Sequence, residues 1–138
     1  MNNTQENPQT TPQNDTNSVL QATSELVNRW LELGSDAVLW THQYVDGDAA
    51  FSAALMLLLN PDAQLEFHSS DQVADESNVL AVDMMNGPCA VKGLKTGSAF
   101  GALLEVLNEN RKRRKMVKTL RPWANQLNLT DSGKKVKD

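Results

Sequence analysis

The most constraining stretch of this chain is Ala37–Leu59, AVLWTHQYVDGDAAFSAALMLLL. It opens on an apolar run, Ala37-Val38-Leu39-Trp40, and closes on Ala, Met and Leu, which favour helix. Between them lies His42-x-x-x-Asp46-Gly47-Asp48. A strand, a tight loop and a helix fit this order. In open α/β sheets, ligands bind beyond the carboxyl ends of the strands, where this loop would lie. The three side chains His42, Asp46 and Asp48 can all ligate a metal. The plainer reading is a polar turn whose aspartates cap the helix.

Further along, Ala63–His68 and Asn78–Asp83 read as two more strands, the second an apolar run ending in a carboxylate. Strand, helix, strand, short acidic turn or helix, strand predicts parallel crossovers. The expected fold class is α/β: a small doubly wound parallel sheet of three to four strands, flanked by helices. Asp83 then falls on the same sheet edge as His42, Asp46 and Asp48. His68 also lies near a strand end, but an exposed or hydrogen-bonded histidine is the commoner outcome there.

The remaining segments frame that sheet. Residues 1–17 are rich in Asn, Gln, Thr and Pro and hold no large apolar side chain after Met1, so a disordered polar tail is expected. Residues 18–133 are read as one domain and 134–138 as a basic tail. Val19–Leu33 has helical spacing, with Asn17 or Ser18 as cap and Gly34 as stop. Residues 84–95 read as a loop. A helix follows from Thr96-Gly97-Ser98 into Asn110, and another over Thr119–Thr130 with Pro122 in its first turn. Lys92, Lys95 and Ser98 can steady a phosphate at a helix start, and an ordinary capped helix accounts for them equally well. The order of Lys95-Thr96-Gly97-Ser98 does not fit a Walker A loop.

Charge is divided unevenly. Residues 1–91 carry a formal charge of −12 and residues 92–138 carry +8. Attraction between the halves, or between the basic half and phosphates, is expected. The run Arg111–Lys115 reads first as a solvated helix face, since Trp123 is the sole aromatic near it. A lone Cys89 excludes an internal disulfide and suits a reducing compartment. With no signal-peptide pattern and no apolar run near ~20 residues, a soluble cytoplasmic protein without a membrane partner is expected.

The segment TH-QYV-DGDA followed by an apolar helix resembles motif I of the DHH phosphoesterase superfamily, which includes RecJ-like nucleases, exopolyphosphatases and small-oligonucleotide hydrolases. The resemblance covers about residues 37–133. It implies a hydrolase acting on a phosphodiester or phosphoanhydride in a nucleotide, oligonucleotide or polyphosphate. It implies one ion on His42, Asp46 and Asp83. A second ion would take Asp48, the bridging Asp83, a histidine of the DHH motif, and a later aspartate matched by Asp131. Mixed imidazole and carboxylate ligands, like the family, point to Mn²⁺, with Mg²⁺ the alternative. His42, Asp46, Asp48 and Asp83 would be the catalytic set.

The name-giving motif is where the chain departs. Either Asp83-Met84-Met85 stands there with both histidines replaced, or Asp83 is the second motif and the loop 86–95 replaces the third. Thioethers are poor ligands for a hard cation. The family also carries a C-terminal substrate domain that this chain has no length for, so a fragment, a minimal member or a degenerate one is expected. The competing expectation is a catalytically inactive DHH-like domain that binds nucleic acid or a protein partner.

Overall fold

The computed structural model describes residues 12–91 and 97–131, with side chains described over 17–91 and 97–129. Four helices surround one sheet: α1 (Pro12–Leu31), β1 (Val38–His42), α2 (Gly47–Leu59), β2 (Gln64–His68), β3 (Val79–Val82), β4 (Ala90–Val91), α3 (Ala99–Leu107) and α4 (Arg114–Asp131). Short 3₁₀ turns at Gly34–Asp36 and Arg111–Arg113 lead into β1 and α4. The four strands are all parallel, in the order β2-β1-β3-β4. The chain therefore builds outward from β1 in both directions, and the order reverses between β1 and β3. That reversal is a topological switch point, where the flanking connections part and leave a crevice.

The central strands are apolar because both their faces are covered. Leu39, Trp40 and Thr41 of β1 and all of β3 are buried. Leu39, Leu80, Met56, Phe100, Leu103, Leu104 and Trp30 form the centre of the core. The Trp30 indole N–H donates to the Val38 carbonyl at 2.9 Å, tying α1 to the first residue of β1. By contrast β2, at the sheet edge, is only half covered, and Phe67 is exposed there. Among the described residues, no helix is long and apolar enough to cross a membrane.

Three boundaries differ from the sequence expectation. Helix α1 begins at Pro12, so residues 12–17, expected in the polar tail, are helical; residues 1–11 lie outside the described residues. Proline suits a first helical position because its missing N–H needs no partner there. Helix α4 begins at Arg114 rather than Thr119, and Pro122 lies inside it. The lost backbone bond involves Pro122 and Lys118, both on the exposed side, where water replaces it. Within the expected loop 84–95, Ala90–Val91 pairs with β3 as β4, too short a strand to leave a pattern. The stretch 72–77 forms turns and irregular chain rather than a helix.

The loop after β3 depends on Gly87, whose φ is +101°. A Cβ there would sit 2.3 Å from the Ala74 carbonyl oxygen, and Ala74 is fully buried. Its backbone bonds Asn86 and Cys89 at 2.9 Å, so it has no room to retreat. Gly87→Ala is expected to destabilise the domain by roughly 2–4 kcal/mol in urea unfolding. Gly34→Ala is the control: it also has positive φ but meets nothing within 4 Å. It should lose about 1–2 kcal/mol, the left-handed penalty alone.

Candidate metal centre

Each candidate ligand is placed by a strand end or a helix start. His42 is the last residue of β1. Asp46 caps α2, with Oδ1 accepting from the Ala49 amide at 2.9 Å. Asp83 follows β3 directly and is the sole non-glycine residue with positive φ among the described residues, at 57°. Aspartate tolerates that region better than most residues. The turn aims Asp83 back at β1, and its Oδ2 lies 2.8 Å from His42 Nε2. Asp46 Oδ1 is 3.9 Å from the same nitrogen. One donor atom from each of His42, Asp46 and Asp83 falls within 4.8 Å of the others. These three groups meet at the switch point between β1 and β3.

The cluster is partly open. His42 and Asp83 are half-buried, whereas the Asp46 side chain is 60% exposed and faces solvent. Burial is the largest influence on Asp83 and pushes its carboxyl up to about 7. The hydrogen bond with His42 works against that rise. The charges of Asp48 and Asp46, together with hydrogen bonding to Asp48, add to it. Three carboxylates therefore crowd one imidazole, an arrangement in which a proton or a cation is favoured.

Asp48 lies beside Asp83, as the sequence suggested, but its oxygens are also engaged by the next helix. It is buried, and its carboxylate accepts from the Ala99 and Phe100 amides, each at 2.9 Å, and from Ser52 Oγ at 3.2 Å. It bridges the N-termini of α2 and α3, where a negative charge is stabilised by both helix dipoles. Its partners are 51 and 52 residues away, and no local pattern announces them. It touches the cluster's electrostatics but is not one of its three convergent donors.

The other candidate residues divide between the fold and the undescribed segments. Ser98 is buried; its hydroxyl accepts from the Gly101 amide and donates to Asn128 Oδ1, which also receives the Ser98 amide. With Asp48 and Ser98 filling the first turn of α3, its amides have no donor left for a phosphate, so the ordinary capped helix is what forms. Lys92 and Lys95 lie outside the described residues. Asp131 ends α4, and its side chain lies outside the described residues too. His68, register neighbour of His42, bonds Glu66 and Gln72 at 3.0 Å and stacks on Trp40 at 3.9 Å. Met84 is in the core and Met85 is exposed.

No family model, no curated protein and no solved structure matches this chain.

Two measurements follow from this geometry. Asp48→Ala leaves two buried amides without an acceptor and should lose about 3 kcal/mol or more in chemical denaturation. Asp83 gives a pH signature. Its folded-state pKa of about 7 lies above the ordinary 3.8, so the folded state holds a proton that the unfolded chain has released between those values. The resulting stability is fully present below 3.8 and is lost as pH rises through about 7. Metal-free protein should therefore lose stability from pH 5 to pH 8, and Asp83→Asn should flatten that slope.

Proposed function

We propose that this chain is a metal-dependent phosphoesterase, acting on a phosphodiester or phosphoanhydride, with a divalent cation at His42, Asp46 and Asp83. The observation that carries the proposal is the meeting of these three donors, two from the β1–α2 connection and one from the end of β3, within 4.8 Å at the sheet's switch point. Their chemistry fits the ion. One imidazole and two carboxylates suit Mn²⁺, or Mg²⁺ less well, and a cation would offset the burial and, to a lesser degree, the neighbouring carboxylate charges that raise Asp83. When bound, such an ion supplies Lewis-acid polarisation of a phosphoryl oxygen and lowers the pKa of a coordinated water.

The protein's own part is positioning. His42 Nε2 and Asp83 Oδ2, 2.8 Å apart, would both have to be free of protons to hold an ion. Asp46 stays fixed by its bond to the Ala49 amide while its exposed side admits substrate. Asp48 holds the start of α2 against α3, and with it the loop that carries Asp46.

A second reading, a non-catalytic metal-binding descendant, is favoured by the same carboxylate. With Asp48 engaged at α3 and Met84 in the core, the convergent donors among the described residues amount to one three-ligand group. Phosphoryl transfer by a paired-ion route needs two sites about 3.5–4 Å apart.

Melting curves with added Mn²⁺, followed by product analysis (mononucleotides from dinucleotides, linear dinucleotides from cyclic ones, phosphate from polyphosphate), separate these readings. At a hundredfold excess over Kd, Mn²⁺ should stabilise the protein by ~2.7 kcal/mol and raise Tm by on the order of 10 °C. The shift should grow from pH 6 to pH 8 and vanish in His42→Ala and Asp83→Asn. A metal-dependent shift without turnover selects the non-catalytic reading. No shift at millimolar Mn²⁺ removes both.

A further inference from the structure

Beside the metal cluster, two aromatic rings from opposite ends of the chain stack in the open. Phe51 of α2 and Trp123 of α4 lie 5.6 Å apart between ring centroids, inclined by 27°. Phe51 is 37% exposed and Trp123 54%. Phe51 is five residues past the α2 cap, Asp46, or about 7.5 Å along the helix axis. Leu127, one turn beyond Trp123, holds α4 against the start of α2: a Cβ on Gly47 would sit 3.1 Å from its Cδ2. The ring pair is thus fixed in place, with the outer side of the indole turned to solvent.

The same helix supplies the charge. Lys115, Thr119 and Trp123 follow one another at four-residue spacing, so they share a row on α4, and all three are exposed. Lys118 flanks that row, and Arg111, Lys112 and Arg113 lead into it. Among the described residues these five cations form no ion pair; the one Lys or Arg side chain that does is Arg121, with Glu105. No described carboxylate of the first half pairs with them. A charge run is usually no more than a solvated face. Here it converges on an exposed, rigid aromatic face, and that combination binds single-stranded nucleic acid: cations follow the backbone while bases stack on the rings.

We infer that α4, with Phe51, forms a binding surface for single-stranded nucleic acid, with a base on Trp123 and backbone phosphates along Lys115, Lys118 and the Arg111–Arg113 turn. The inference stands apart from the metal proposal, because none of these residues belongs to the cluster. Its test is run in EDTA, so absence of hydrolysis leaves it unaffected.

The full chain suits a direct optical test. Of its three tryptophans, Trp30 and Trp40 are 1% and 5% exposed, so quenching by a ligand reports Trp123. An oligothymidylate of roughly eight nucleotides should quench that emission at 50 mM salt. Anisotropy of the labelled oligomer should show about tenfold weaker binding for Trp123→Ala and for Phe51→Ala, with Trp123→Phe close to wild type. Log K should fall with log salt, and Lys115→Gln and Lys118→Gln should each reduce the slope by about 0.7. These two lie on the exposed face, so they read the surface even where an aromatic variant folds poorly. Absence of binding at 50 mM salt overturns the inference. So does inorganic polyphosphate competing equally well with binding indifferent to Trp123→Ala, which marks a plain polyanion patch. Shielding of Trp123 by concentration-dependent self-association also overturns it, assigning the face to a protein copy.

Discussion

The domain depends on one buried carboxylate. Asp48 accepts two amides from the first turn of α3 while sitting in the first turn of α2. It joins the β1–α2 unit to the half of the chain that follows β4. Burying a charge is costly unless every lone pair is engaged. Asp48 meets that condition with two amides, one hydroxyl and two helix dipoles. Once α3 is fixed there, Ser98 and Asn128 fix α4 upon α3, and Leu127 returns α4 to Gly47. A closed circuit of contacts then surrounds the loop that carries Asp46.

What was legible in the sequence follows from how local each cause is. His42 and Asp83 could be placed because apolar runs of four or five residues end on them, and a parallel sheet aligns such ends. Asp46 could be placed because a capping aspartate precedes a helix-forming run. Ser98 as a cap was visible for the same reason. The bonds of Asp48 to the Ala99 and Phe100 amides were not legible, because those partners lie 51 and 52 residues away. The early start of α1 and the passage of α4 through Pro122 were hidden as well. Both segments are polar on the side where the pattern was sought, and tertiary packing overrides weak propensity there.

The charge asymmetry had a similar fate. Opposite net charges on the two halves suggested mutual attraction, yet the one Lys or Arg ion pair among the described residues, Arg121 with Glu105, lies wholly within the second half. Surface pairs contribute little once side-chain entropy and screening are counted, so net charge does not dictate docking. Apolar contact does: Phe51 meets Trp123 across the domain because α2 is apolar on nearly all sides and α4 must cover part of it. The sequence showed a basic run with a single aromatic nearby. Folding brings the second ring.

The methionine after Asp83 shapes the site from the β3 end. Met84 fills core volume, so the chain after β3 turns inward at once, and Asp83 takes up left-handed backbone to stay at the surface. A histidine at that position would have to leave the core to reach an ion. Asp48 meets the mirror constraint, because drawing its oxygens to a second ion would strip the cap from α3. Asp48 is thus held by amide bonds, and Met84 by packing, whose loss would loosen the fold. The three convergent groups are tied more lightly, by the α2 cap bond of Asp46 and the contact between His42 and Asp83. His42 and Asp83 chiefly hold each other, and Asp46 keeps one oxygen free beyond its cap. His42, Asp46 and Asp83 thus converge without the bonds between helices that hold Asp48 between α2 and α3.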